Sequence, residues 1–134
     1  MGAEINLNER LGEVGDTRDI RADGDINLTQ GKGVLLSTSQ VAGAGSTTTD
    51  ATVTYSHHTA VYSTVASGGI RFDQFGQGDF KTVKNLAGAA VKVYPPTGGS
   101  IDLAATNAGL TLNSGIGASF YCMSANAIMA VKGS

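Results

Sequence analysis

From residue 51 onward, short runs of alternating apolar and polar residues are separated by glycine, proline, asparagine and serine. Val53 and Tyr55 alternate with threonine and serine, and residues 59–66 repeat the pattern with Val61 and Val65 on one face. A period of two residues is typical of β-strands, and no stretch supports a helix longer than two turns. The spacing predicts an all-β fold of about eight or nine short strands, forming a small β-sandwich, a jelly-roll-like body or a barrel.

One of these runs, residues 118–123, is apolar on both of its faces. Phe120 and Cys122 share one face, and Tyr121 and Met123 share the other. A strand that is apolar on both sides is typical of the middle of a sheet with a covering layer above and below. The run therefore predicts a central strand that is covered twice.

A proline-rich corner follows the predicted strand at residues 90–94. A proline offers no N–H to a strand ladder and holds the residue before it in an extended conformation, so the strand must end here. Residues 87–89 predict a hairpin bend before this strand, and residues 101–103 predict another short strand after the corner. We expect the fold to be organised around this structural corner, which consists of Tyr94, Pro95, Pro96, Gly98 and Gly99.

The first part of the chain has a different pattern. Its apolar residues are spaced by polar ones and interrupted by glycine, which predicts an extended arm, and residues 37–50 are small and polar, which predicts a loosely packed connector. The chain is thus divided into an N-terminal arm and connector, residues 1–50, and a β-rich body, residues 51–134. The apolar residues proposed to anchor the arm on a partner are Ile5, Leu7, Leu11, Val14, Ile20, Ile26 and Leu28.

Composition and charge narrow the possible partners. Only 6% of the 134 residues are aromatic and tryptophan is absent, so a core made of these small side chains buries little area and favours a homo-oligomer. The net charge of −2 does not favour binding to nucleic acid or to an anionic membrane. Neither a signal peptide nor an apolar run of membrane-spanning length is evident, so we expect no membrane partner.

Candidate chemistry is sparse, and we predict no catalytic residues, no metal site and no cofactor. His57 and His58 are adjacent, so within one strand their rings point apart, although a three-fold axis would gather one histidine from each copy around an ion. Residues 23–27 resemble the start of a calcium loop but lack its later glycine and glutamate, which favours a turn. Cys122 stands among apolar residues and is expected to be a buried, unreactive thiol.

Residues 83–126 resemble a module found in virion proteins of tailed bacteriophages. The shared pattern is a strand ending in Asn, a Gly/Ala turn, an Ala-Val-x-Val-Tyr-Pro-Pro-type corner, a Gly-containing Ile strand, a Leu-Ala-x-x-Asn-Ala stretch, a Leu strand, a Gly loop and an aromatic strand ending in Ser-Ala-Asn. Its parts correspond here to residues 83–85, 87–89, 90–97, 99–103, 104–108, 110–112, 113–117 and 118–126. Residues 69–79 are similar to the lead-in strand of the module, and the resemblance covers about residues 69–130.

The resemblance implies a structural virion protein, and most specifically a capsid decoration, or cement, protein on the outer capsid surface. It also implies a symmetric homo-oligomer, with three copies as the expected number, whose partner is the major capsid protein and whose effect is capsid stabilisation. The alternative is a tail or fibre component that attaches to the host surface. A polysaccharide hydrolase or lyase would require a carboxylate cluster that the sequence does not supply.

Overall fold

The computed structural model describes residues 36–65, 68–124 and 126–133. All regular structure in these residues is β-strand, which confirms the all-β prediction for this part of the chain. The strands are β1 (Thr38–Gly43), β2 (Thr52–Thr54), β3 (His58–Thr64), β4 (Gly69–Phe72), β5 (Phe80–Asn85), β6 (Val91–Tyr94), β7 (Ser100–Ile101), β8 (Leu110–Leu112), β9 (Gly117–Ser124) and β10 (Ala127–Lys132).

The strands form two mixed sheets. The six-stranded sheet has the order β1-β3-β5-β9-β10-β7, and the four-stranded sheet has the order β2-β4-β6-β8. Over the first six strands the chain passes from one sheet to the other at each step, so β1, β3 and β5 are parallel neighbours, as are β2, β4 and β6. Antiparallel pairing enters with β8 and β9, because β8 pairs with β6 and β9 pairs with both β5 and β10.

Both sheets contribute inward side chains to one hydrophobic cluster. Phe72 of the four-stranded sheet lies between Phe75 and Phe120, with ring centroids 5.2 and 5.0 Å apart. Deleting such side chains costs several kcal/mol in general, because the transfer energy and a cavity penalty add. The other members of the cluster are Val61, Ile70, Val83, Val91, Val93, Ile101, Leu112, Ala118, Cys122 and Ile128.

Strand β5 turns polar residues toward this cluster and an aromatic residue away from it. Val83 fixes the inward register, so Lys81 and Asn85 are also buried while Phe80 is exposed. Asn85 satisfies its buried amide fully: Nδ2 donates to the carbonyls of Ala89 and Leu112, and Oδ1 accepts from the N–H of Ala87, each at 2.9 Å. A buried amide with all of these partners fastens β5 to the loop after it and to β8.

Three local predictions differ from the structure. Residues 38–43, expected in a loose connector, form β1, because pairing with β3 outweighs the weak strand preference of their small side chains. The hairpin at residues 87–89 is wrong, since β5 and β6 belong to different sheets. The strand at residues 101–103 ends after Ile101, because Asp102 and Leu103 have positive φ angles of 51° and 60°.

The residues of the predicted corner lie at the end of β6. The Tyr94 ring packs between Gly69 and Gly109, where an added Cβ would approach ring carbons to 2.6 and 2.7 Å, so both positions require the absence of a side chain. The Tyr94 hydroxyl donates to the carbonyl of Ser46. Gly98 has a positive φ of 89°, which a glycine adopts without strain.

Strand β9 lies between β5 and β10, as expected for a central strand. The prediction that both of its faces are covered is wrong for the described chain. Phe120 and Cys122 are buried, whereas Tyr121 and Met123 are exposed. The six-stranded sheet therefore has one face in the core and one face open to solvent at its centre.

Candidate functional site

Most of the binding residues predicted from sequence lie outside the described residues. This holds for the arm residues Ile5, Leu7, Leu11, Val14, Ile20, Ile26 and Leu28, and for the turn at residues 23–27. Their proposed binding function stays a prediction. The candidate sites that the structure describes are therefore on the two sheets and on the loops between the strands.

The open face of the six-stranded sheet carries a contiguous group of large apolar side chains on β5, β9 and β10. Phe80 lies opposite Tyr121, and Tyr121 lies opposite Met129, so three neighbouring strands each contribute one side chain to the same row. The Phe80 and Tyr121 rings are stacked with centroids 6.3 Å apart. We call this group the apolar stripe, and its members are Phe80, Tyr121, Met123, Met129 and Val131.

The apolar stripe is exposed to a degree that is unusual for so many adjacent apolar residues. Its members keep between 37 and 57% of their surface accessible. Lys84 is the one charged residue at the outward positions of β5, β9 and β10, and its Nζ donates to the carbonyl of Gly115. Contiguous exposed apolar patches of about 300–600 Å² on a monomer often mark an interaction site. The composition of this face therefore fits a protein partner better than an anion or a nucleic acid.

A serine, a histidine and an aspartate meet at the starts of β1, β3 and β5. Ser37 Oγ lies 3.1 Å from His57 Nδ1, and His57 Nε2 lies 3.3 Å from Asp79 Oδ1. Ser37 Oγ also accepts the N–H of His57 at 3.1 Å, and its hydroxyl donates toward Nδ1 in the tautomer that carries the ring proton on Nε2. These residues are distant in sequence and come together only because β1, β3 and β5 are parallel neighbours.

The residue types match those of a nucleophilic triad, but the surroundings favour a structural contact. Acyl transfer by serine requires backbone or side-chain donors aimed at a developing oxyanion, inside a concave site. Two shallow depressions lie on the open surface of the strands, and neither is lined by Ser37, His57 or Asp79. The three side chains tie the starts of three strands together.

The two histidines engage different partners. His58 Nδ1 lies 2.7 Å from Thr82 Oγ1, and its ring meets Phe80 edge-on with centroids 6.0 Å apart. His57 is held by Ser37 and Asp79, so the two rings do not converge on one point within the chain. No group of three potential metal ligands occurs within residues 36–65, 68–124 and 126–133.

Cys122 belongs to β9, and its side chain is buried on the inward face of the sheet. Its Sγ donates to the carbonyls of Phe75 and Ser124, each at 3.0 Å. Burial raises the pKa of the Cys122 thiol. A protonated thiol without a base beside it is a poor nucleophile, which agrees with the expectation of an unreactive buried cysteine.

The apolar stripe was not predicted as a site, although the sequence held part of the signal. Tyr121 and Met123 share a face that is as apolar as the face of Phe120, which indicates a cover on both sides. The contribution of Phe80 is hidden because its strand has Lys84 on the same face and Val83 on the other. Only the pairing of β5 with β9 brings Phe80 beside Tyr121.

Comparison of the chain with protein-family models, with curated proteins and with solved structures finds no match. Among the residues that the structure describes, no helix has the length and apolar character needed to cross a membrane. The function is therefore argued from the described surfaces and from the residues that carry the resemblance.

Proposed function

We propose that the chain is a structural protein of a tailed-phage virion, and most specifically a capsid decoration protein. The body is a β-sandwich that forms a homo-oligomer on the outer surface of the shell. Its partner is the major capsid protein, and it holds neighbouring capsid subunits together without enzymatic activity. Three copies is the number that the resemblance implies.

The apolar stripe is the observation that carries this proposal. A face with five large exposed apolar residues and a single lysine suits a molecule that works by contact with other proteins. Phe80, Tyr121 and Met123 belong to or adjoin the segment that resembles the virion module. The same segment includes Asn85, whose buried hydrogen bonds account for a strand that ends in asparagine at this place.

The N-terminal arm supplies the contact with the shell in this proposal. Residues 1–25 carry seven acidic and three basic side chains, a balance of −4, whereas the rest of the chain has a balance of +2. An extended segment with spaced apolar residues binds a partner through backbone hydrogen bonds to a sheet edge. Because many copies bind one particle, each contact can be weak while the whole layer remains bound.

Copy number in purified particles tests the proposal. Quantitative mass spectrometry of virions that carry this chain is expected to find hundreds of copies, relative to the major capsid protein. A handful of copies would support the tail or fibre alternative, and absence from the particle would overturn a virion function.

Deletion of residues 1–30 tests the function of the arm. We expect the truncated chain to keep its β-sheet circular dichroism and to stop sedimenting with empty capsids, while the full chain sediments with them. Decoration of empty capsids by the truncated chain would overturn the arm as the anchor.

A further inference from the structure

The outward side chains around the apolar stripe are arranged in rows across β5, β9 and β10. One row consists of Phe80, Tyr121 and Met129, which are directly opposite one another. The next row along the strands consists of the shorter side chains of Thr82, Ser119 and Val131. A bulky row therefore lies beside a row of shorter side chains along the direction of the strands.

The difference in size extends beyond these two rows on β9. Beyond the short row, Lys84 lies opposite Gly117, which has no side chain. On the other side of the bulky row, the next outward residue of β9 is Met123, which is 57% exposed. Along β9 the outward residues thus run from Gly117 and Ser119 to Tyr121 and Met123, from small at one end to large at the other.

We infer that the apolar stripe binds the same face of a second copy of this chain across a two-fold axis. The axis runs in the interface, across the strands, between the row of Tyr121 and the row of Ser119. A rotation about it reverses the strand direction, so Tyr121 of each copy lies over Ser119 of the other and Met123 lies over Gly117. On β5 and β9 large side chains then fill the space above small ones on both sides of the axis, as close packing of two sheets requires, and on β10 Met129 lies over Val131.

Charge agrees with this arrangement. The axis crosses β5 at residue 81, so Lys84 of one copy lies above residue 78 of the other copy, next to Asp79. The lysines of the two copies are therefore kept apart, and each lies over a glycine, Gly78, of the other copy. A two-fold contact is self-complementary in this way, because each residue pair occurs twice.

The composition of the stripe also suits this occupant. The stripe is apolar at its centre and has the charged Lys84 at its edge, which is the usual anatomy of a protein–protein interface. Strand β9 is apolar on both faces, yet the single chain covers only one of them. A second copy supplies the missing layer. This contact requires no capsid, but it gives the homo-oligomer a two-fold contact in place of the three-fold assembly that the resemblance implies, so a wild-type trimer counts against it.

The test is the molar mass of the full chain in solution, measured by sedimentation velocity at tens of micromolar. Wild type is expected to be a dimer. Ser119→Arg places a charge beneath Tyr121 of the other copy, and we expect it to raise the dissociation constant by at least about 100-fold, because an unpaired buried charge is strongly unfavourable. Thr111→Arg, at an exposed strand position on the four-stranded sheet, is the matched control and is expected to leave the dimer intact.

A pair of complementary variants tests the register of the contact. Tyr121→Lys and Ser119→Asp are each expected to be monomeric, because each places a charge against an uncharged residue. A mixture of the two is expected to form a heterodimer, since the lysine of one chain meets the aspartate of the other while a Tyr121–Ser119 contact is kept. Tyr121→Lys changes an exposed side chain, so it provides the monomer test even if a variant at residue 119 fails to fold.

Several results would overturn the inference. They are a wild-type chain that is monomeric at these concentrations, a wild-type trimer, and a Ser119→Arg chain with the same mass as wild type. A mixture of the complementary variants that stays monomeric would overturn the register. Capsid sedimentation is scored separately, so loss of the dimer and loss of decoration are distinguishable outcomes.

Discussion

The two sheets share one core but differ in the faces that they turn away from it. On the four-stranded sheet, Lys92 and Thr111 are exposed cross-strand neighbours, as on an ordinary solvated surface. On the six-stranded sheet, the corresponding positions of β5, β9 and β10 carry the apolar stripe. Folding requires only the inward faces, so the difference between the outward faces points to binding.

The largest expected effect separates the two faces of β9. Phe120→Ala should lower the free energy of unfolding by about 3–5 kcal/mol, because it removes a buried ring that contacts Phe72. Tyr121→Ala, on the outward face, should cost less than about 1 kcal/mol at low protein concentration. Urea denaturation of both variants measures the difference. Equal losses would mean that Tyr121 serves the fold of the single chain, and the comparison of faces would fail.

The next effect concerns the residue that joins the two sheets. Asn85→Ala should cost about 3 kcal/mol, because three hydrogen bonds worth about 1 kcal/mol each are lost and their partners remain buried. Asn113→Ala is the control at an exposed loop position and should change stability by less than about 0.5 kcal/mol. A small loss at Asn85, measured by urea denaturation, would show that β5 and β8 are held together by the apolar cluster alone.

A smaller effect on stability is expected from Tyr94 of β6, in the four-stranded sheet. Burial, together with the nearby Asp50 carboxylate, raises the pKa of the Tyr94 phenol above its ordinary value of 10.0. Because the pKa is raised in the folded chain, its contribution to stability is complete below pH 10 and is lost as the pH rises through the folded value. Thermal melts of wild type should therefore fall in midpoint above pH 10.

Tyr94→Phe removes this alkaline sensitivity and costs about 1 kcal/mol at neutral pH through loss of the hydrogen bond to Ser46. Tyr62→Phe, at an exposed tyrosine of β3, is the control and should keep the alkaline loss. If Tyr94→Phe and Tyr62→Phe respond to alkali in the same way, the buried phenol of Tyr94 is not the source of the alkaline loss of stability.

The smallest effect is expected at the exposed turn before β2. Hydrogen bonds from the side chain and backbone of Thr47 hold the pKa of Asp50 below its ordinary value of 3.8. A lowered pKa contributes stability above the unfolded value, and this contribution is lost as the pH falls through the folded one. Asp50→Asn should therefore flatten the acid limb of the melting curve below about pH 4. An unchanged acid limb would mean that the turn forms equally well without the carboxylate.

The sequence predicted most strands because their period and breakers are local properties. Residues 70–72, 110–112 and 118–123 are strands as expected, and the proline pair ends β6 where the missing N–H requires it. Strand pairing is not local in this way. The strand pattern of the sequence is equally compatible with a series of hairpins. Only the packing of the two sheets makes β1, β3 and β5 parallel neighbours instead.

The same limit explains what was missed at the candidate site. Phe80 and Lys81 are adjacent, and hydrophobicity alone would bury the phenylalanine. The inward register is set by Val83 and by the fully satisfied amide of Asn85, so Lys81 is buried, its Nζ 5.8 Å from the centre of the Phe75 ring. The apolar stripe forms because β5, β9 and β10 are neighbours in the sheet, and a local sequence pattern does not predict strand pairing.

The alternation of the first six strands between the two sheets affects how the protein folds. Ser39 and Thr59 are 20 residues apart in sequence, and His58 and Thr82 are 24 apart. Pairing these strands therefore requires the closure of large loops, which costs conformational entropy. Among the described strands, only β9 and β10 follow one another as an antiparallel pair. We expect this hairpin to form first and folding as a whole to be slow, because the parallel strands of the same sheet pair only after long loops have closed.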